Sequence, residues 1–389
     1  MLPAGLWRRR IFTASGSRKH ENPLGLPSNN TRSLPQIPRR GPISRGLPPK
    51  RKIPNVKRVV LVSSCKGGVG KSTIATNLAV SLSLLPQRLR VGILDLDVFG
   101  PSIPTLMGLK NVEEPGLTRD GALIPITNHS IPTMSMAYLL PSASHSSSSP
   151  STNPDSEPPT NEDTPVVWRG LMVQKAVQQL LFQTDWSAGV SQGASSGLDI
   201  LVVDLPPGTG DIPLSVGQLV DVDSTIIITT PDVLSLSDVR RGVSMFRKLE
   251  IPLTGLVINN GYFICPNCTE RHYLFGGNPN DSENMFTKGV KAMGMDGDRI
   301  IGELPLVVDV GRGGEKGIPY ALSGRGVGDN DPGKVWLAAM TSVAERIWGE
   351  IQFNTNYSIE FMRNRIRKQR PALRESLTMN TETIWHLCS

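Results

Sequence analysis

Residues 60–73 read VLVSSCKGGVGKST. An apolar, β-branched run ends in a glycine-rich turn, and at Lys71 the turn gives way to a helical pattern over 71–85. Strand, loop and helix in this order form the context in which a terminal G-K-[ST] reads as a phosphate loop. The glycines let successive backbone N–H groups converge on phosphate oxygens, and the helix N-terminus adds its partial positive charge. In this reading Lys71 reaches the β- and γ-phosphates of a nucleotide, Ser72 ligates Mg²⁺ and Thr73 bonds the α-phosphate, while Gly67, Gly68, Val69 and Gly70 form the cradle. Cys65 stands where the pattern G-x-x-x-x-G-K-[ST] has its first glycine. If that position required φ > 0, its Cβ would cost about 1–2 kcal/mol.

Working outward, short apolar runs recur at 59–63, 91–95, 199–204, 224–230 and 254–259, with helical patterns at 71–85, 170–183, 236–249 and 334–350. Strands this short and this uniformly apolar are buried on both faces, and their alternation with helices predicts a doubly wound α/β domain. Its sheet is mainly parallel and flanked by helices. Acidic residues cluster where such strands end. Asp204 closes the run DILVVD and is expected to orient Mg²⁺ and its water, with the Gly208 N–H offered to a γ-phosphate. Asp95 and Asp97 lie in LDLDVFGPSIP, and Asp97 is the candidate for positioning an attacking water. In open α/β sheets ligands bind at the carboxyl ends of the strands.

Charge is segregated. Residues 1–58 carry 14 of the 41 Lys and Arg but only one acid, Glu21, leaving 27 basic and 33 acidic side chains to the other 331 residues. The net charge of +7 is therefore no argument for nucleic-acid binding by the folded part. The first twenty residues, rich in Arg and hydroxyl side chains and free of acids, have the composition of a mitochondrial transit peptide. No apolar run approaches the ~20 residues of a membrane span. The division expected is a targeting segment at 1–50, a nucleotide-binding domain at 51–352 with a Ser/Pro/acid-rich disordered insertion at 141–165, and a polar basic tail at 353–389.

The second chemical signature is CPNC at 265–268. Two cysteines at this spacing serve zinc, iron–sulfur or redox sites alike. A tetrathiolate site needs four ligands, and Cys65 and Cys388 lie elsewhere in the sequence. Two chains related by a two-fold axis would supply Cys265 and Cys268 twice, the simplest way to close such a site.

SCKGGVGKST, DLDVFGPS, VVWRGLMVQKAVQQLL, DILVVDLPPGTGD, YFICPNC and GELPL follow one another over residues 57–320. Together they resemble the Mrp family of iron–sulfur carrier P-loop ATPases. That family belongs to the deviant Walker A group, with the septum-site and chromosome-partition ATPases. With the basic N-terminus, the resemblance is to its mitochondrial, NUBPL-type branch.

The resemblance implies a homodimer with slow ATPase activity that holds a labile [4Fe–4S] cluster between the two Cys265–Cys268 pairs. It implies transfer of that cluster to recipient apoproteins in the mitochondrial matrix, among them subunits of respiratory complex I. It gives Lys66 the role of reaching across the dimer to the partner's phosphates, and Asn259 that of reading adenine. Here the chain departs from the family, having Ile258-Asn259-Asn260 where Glu or Gln, Asn and Met are usual. Two other readings compete. A metal-free partition-type ATPase would carry a DNA-facing or membrane-facing helix, and a cytosolic iron–sulfur scaffold often has an N-terminal four-cysteine motif. No cysteine precedes Cys65 here.

Overall fold

A computed structural model describes residues 49–98, 100–110, 112, 114–139, 170–188, 197–273, 285–295, 299–323 and 331–354. The segments at 1–48, 141–165 and 355–389 lie outside the described residues, as does most of 187–197.

The strand quoted at the outset, β1 (Val59–Ser64), is buried along its whole length and sits in the middle of an eight-stranded sheet. It pairs in parallel with β5 (Ile200–Asp204) on one side and β6 (Ser224–Thr229) on the other. Beyond β5 lies β2 (Val91–Asp95), and beyond β6 lies β7 (Gly255–Ile258), again parallel. These are the five expected strands, each within a residue or two of its expected bounds. The sheet extends further through β10 (Ile300–Glu303) at one edge and β4 (Ile131–Ser135) at the other. A short antiparallel strand, β3 (Ile126–Asn128), closes the second edge. The expected α/β class and mainly parallel sheet are therefore what the chain adopts. An antiparallel edge strand is a common addition to such sheets.

Helices cover both faces. α1 (Lys71–Ser83) follows the loop, the short α2 (Ile103–Leu106) follows β2, and α3 (Gly170–Phe182), α4 (Asp211–Leu219) and α5 (Val233–Lys248) supply the crossovers. A last helix spans 332–354, two residues beyond the expected domain boundary, with Trp336, Met340, Val343 and Ile347 buried. At the other boundary Lys50 already donates from Nζ to Leu249 O at 2.9 Å, and Ile53 is buried. Among the described residues no helix is long and apolar enough to cross a membrane.

Parallel register gives the sheet one chemically rich edge, because every strand from β2 to β7 in the stack ends there. The phosphate loop leaves β1 at this edge, Asp95 and Asp204 end β2 and β5, and Asn259 follows β7.

Candidate functional site at the carboxyl edge of the sheet

The loop from Cys65 to Gly70 has the geometry of a phosphate cradle. Gly68 and Gly70 hold φ of 79° and 83°, values glycine adopts without the Cβ penalty of other residues. Gly70 is also the N-cap of α1 and offers no side-chain cap, so the first N–H groups of the helix face the loop. A side chain at Gly70 would collide with the amide of Asn259, which donates from Nδ2 to Val69 O at 2.8 Å. Asn259, expected to read adenine, thus clamps the loop through the carbonyl of Val69 in this structure.

Lys71 is buried among carboxylates. Its Nζ lies 2.6 Å from Asp204 Oδ1 and 3.9 Å from Asp97 Oδ2, and donates to Ser72 Oγ at 3.2 Å. Sheet register explains the acid density: Asp95 and Asp204 are direct partners across β2 and β5. Asp95 is fully buried and accepts from Asp97 N, Ile103 N and Ser135 Oγ at 3.0, 3.3 and 3.1 Å. Burial, reinforced by the Asp204 charge, pushes its carboxyl up to about 7. Burial raises Asp204 as well, against the opposing pull of Lys71. Asp204 Oδ2 is buried with no hydrogen-bond partner, an acceptor suited to a water on a bound Mg²⁺. No Cβ built at Gly67, Gly68 or Gly208 meets another atom within 4 Å, so the cradle faces open space. An orphaned carboxylate oxygen, an ammonium and a glycine cradle together fit Mg²⁺ and a nucleoside triphosphate.

Two of the expected contacts are engaged elsewhere in this conformation. The Gly208 N–H donates to Ser64 O at 2.8 Å, so the loop must shift before that group meets a phosphate. Lys66, 43% exposed, pairs with Asp232 Oδ1 at 3.7 Å within its own chain. Asp232 caps α5, accepting from Ser235 N at 2.8 Å. Burial works against its ionisation, yet hydrogen bonds from Ser235 and Thr230 hold the carboxyl down at about 2.

Cys65 does not occupy a strained position. It is absent from the non-glycine residues with positive φ, so the anticipated Cβ penalty does not arise. Its side chain turns away from the cradle and packs on Gly242 of α5, where a Cβ would overlap Sγ. Burial pushes the Cys65 thiol up to about 11, which keeps it protonated at neutral pH and unsuited to metal ligation. Gly242→Ala would ordinarily stabilise a helix interior by about 0.5–1 kcal/mol. Here overpacking against Sγ is expected to make it destabilising by about 1–3 kcal/mol. Chemical denaturation of Gly242→Ala, Cys65→Gly and the double variant tests the contact, and the double variant should recover most of the loss.

Nine residues after Thr254, whose N–H donates to Thr225 O, the chain forms a small hairpin. β8 (Phe263–Ile264) pairs with β9 (Arg271–His272), and CPNC forms the turn between them. Cys265 N donates to Glu270 O at 3.0 Å and Thr269 N to Cys265 O at 2.8 Å, which folds the turn tightly. The N–H groups of Cys268 and then Asn267 point at Cys265 Sγ and lower its thiol from the usual range. Cys265 is half-buried and Cys268 exposed. His272 was not singled out by spacing, yet its ring stands 3.6 Å from Cys268 Sγ through Nε2. Ligand atoms of Cys265, Cys268 and His272 all lie within 4.8 Å of one another. A histidine four residues beyond a C-x-x-C pair was the available signal, and hairpin pairing is what brings it back to the thiols.

One chain thus presents two cysteine sulfurs and an imidazole at a surface turn. Its two cysteines match the sulfur ligation of an iron–sulfur cluster, and they supply half of the four thiolates that a cubane requires.

These features agree with the comparisons to known proteins. The family described as ParA, NUBPL iron-transfer P-loop NTPase, matches residues 55–147 and 159–343. An iron–sulfur cluster carrier protein of Aquifex aeolicus (strain VF5) is 38% identical over 274 residues, covering 70% of this chain and 64% of that protein. The match thus spans less than two thirds of that relative's length. An Arabidopsis thaliana protein named as a mitochondrial iron–sulfur protein required for NADH dehydrogenase is 36% identical over 292 residues, 75% of this chain and 78% of its own. Among solved structures, the fold is similar to a nucleotide-binding protein from Archaeoglobus fulgidus in complex with ADP. The TM-score is 0.50 and the identity 30%, over 68% of this chain and 87% of that one. The cradle after β1, the acids on β2 and β5 and the cysteine hairpin after β7 all lie within the matched residues, and the chain belongs to the NUBPL iron-transfer P-loop NTPase family.

Proposed function

We propose that this protein is an ATP-binding carrier of iron–sulfur clusters. Two copies hold a [4Fe–4S] cluster between their Cys265–Cys268 pairs and deliver it to apoproteins of the mitochondrial matrix, including complex I subunits. The observation that carries the reading is one of connection. Asn259 grips the phosphate loop through Val69 O, directly follows β7, and precedes Cys265 of the hairpin by six residues. Nucleotide and cluster sites share one short stretch of backbone.

With Mg²⁺ and ATP bound, Lys71 would leave Asp204 for the β- and γ-phosphates, Ser72 would hold the metal and Thr73 would bond the α-phosphate. The backbone of Gly67 to Gly70 wraps the phosphates. Asp204, relieved of its ammonium, would hold Mg²⁺ through a bound water, and Asp97 would orient the water that attacks. Gly208 exchanges its bond to Ser64 O for the γ-phosphate, and Lys66 exchanges Asp232 for the partner's phosphates, as an arginine finger would. Asn259 reads adenine once its amide leaves Val69 O. These exchanges loosen the loop's hold on β7 and shift the hairpins of the dimer relative to each other. Hydrolysis is slow and times release of the cluster. A cluster held at an exposed turn, with few outer hydrogen bonds, is labile, which suits a carrier.

Residues 1–50 serve as the targeting segment, 51–352 as the carrier domain and 353–389 as a tail. The basic N-terminus and the mitochondrial name of the Arabidopsis relative support the location.

Anaerobic reconstitution of wild type and Cys265→Ala, with iron and sulfide analysis and EPR, tests the function. Wild type is expected to hold one four-iron cluster per dimer, and Cys265→Ala to lose at least nine tenths of it, about a tenfold drop, as a ligand loss demands. A colourless wild type that binds zinc alone would overturn the reading. Transfer to an apoprotein should respond to ATP, and a rate indifferent to nucleotide would remove the proposed coupling.

A further inference from the structure

The spacing C-x-x-C supplies two ligands, and the hairpin adds a third donor with metal-site geometry. Zn–S bonds of about 2.3 Å and Zn–N bonds of about 2.0–2.1 Å at a tetrahedral angle separate sulfur from nitrogen by about 3.5–3.6 Å. Cys268 Sγ and His272 Nε2 stand 3.6 Å apart. Cys265 Sγ completes a triangle whose sides are all within 4.8 Å. Strand pairing of Phe263 with His272 sets this approach, and the N–H groups of Asn267 and Cys268 aim at the Cys265 sulfur, as they do around a ligating thiolate. The arrangement exists within one chain and needs no partner.

We infer that Cys265, Cys268 and His272 form a mononuclear site in the single chain, binding a thiophilic divalent ion such as Zn²⁺ or Fe²⁺ tetrahedrally with its fourth position open. The same two thiolates cannot serve this ion and a cluster shared between two chains at once. Mononuclear metal and cluster therefore compete, and His272 sets the balance by favouring the ion in the monomer. This competition rests on the carrier reading above, whereas the mononuclear site does not.

Titration of the reduced, metal-free full-length protein with Co²⁺, followed by Zn²⁺ displacement, tests the site. Wild type is expected to bind one Co²⁺ per chain as a monomer by light scattering, with tetrahedral ligand-field bands and thiolate charge-transfer of two sulfurs. His272→Ala should bind at least about tenfold more weakly, and His272→Cys should regain affinity with stronger charge-transfer. Wild-type Co²⁺ affinity in His272→Ala, or one Co²⁺ shared by two chains, would overturn the inference. For the competition, Zn²⁺ should suppress cluster loading of wild type at least tenfold more effectively than that of His272→Ala, and equal suppression would overturn it. Cluster loading without an effect of His272 leaves the carrier reading standing alone. Co²⁺ binding that depends on His272, in a chain that never takes a cluster, leaves the mononuclear site standing alone.

Discussion

Lys71→Met is expected to weaken Mg-ATP binding about a hundredfold or more, equivalent to about 3 kcal/mol. The reason is the company Lys71 keeps. It is the ammonium that faces Asp204 at 2.6 Å and Asp97 at 3.9 Å, with Asp95 one strand away in register with Asp204. Methionine keeps the aliphatic stem and removes the charge, so a triphosphate would enter a site lined by uncompensated carboxylates. The same substitution strands buried charge in the nucleotide-free protein. Breaking a buried pair from one side costs about 3–5 kcal/mol. Protonation of the orphaned acids relieves that cost, so the stability deficit of Lys71→Met should be large at pH 8 and shrink towards pH 5.5. Calorimetric titration with a non-hydrolysable ATP analogue and thermal melts at the two pH values measure both effects. An affinity within threefold of wild type would remove Lys71 from the nucleotide site.

Asp95 gives the second large effect, on stability as a function of pH. Its folded-state carboxyl sits at about 7 because of burial first and Asp204 second, against about 3.8 in the unfolded chain. Between those values the native state holds a proton that the unfolded state has released, so stability falls as pH rises from about 4 to about 7 and then levels. A difference of about three units corresponds to a ceiling of about 4 kcal/mol, reached only if nothing relaxes around the charge. Asp95→Asn removes the titration but also disturbs the bonds accepted from Asp97 N, Ile103 N and Ser135 Oγ. The variant should therefore be less stable than wild type at pH 5, with a gap that closes or reverses by pH 8. Denaturant unfolding of both proteins across pH 5–8 checks the sign, and parallel profiles would show that Asp95 does not titrate in this window. Mg²⁺ with nucleotide should flatten the wild-type profile by bringing compensating charge to the same acids.

The contrast between these two residues shows what lay open in the amino-acid order. Lys71 announces itself, because strand, glycine turn and G-K-S are contiguous and their geometry is local. The same holds for the five central strands, whose uninterrupted apolar runs have no reading except burial on both faces. It holds too for CPNC, a covalent spacing. The outer strands were less legible: β3 and β10 are short and only partly buried, and β4 carries a proline, Pro132, inside its apolar run.

What tertiary structure alone decided is who stands beside whom across the sheet and the turns. Asp95 and Asp204 are more than a hundred residues apart and meet because β2 and β5 pair in one register. Cys65 looked like a misplaced glycine until the packing of α5 supplied its true counterpart, Gly242, whose missing Cβ leaves room for the thiol. Asn259 holds the phosphate loop from a strand two places away from β1, and His272 approaches the cysteines only because a hairpin folds it back. Local propensity and hydrophobic period act over a few residues, and so the sequence by itself determined the elements and the chemical groups they carry. Pairing register and side-chain packing act through space, and they turned those groups into a buried acid cluster and a three-donor metal triangle.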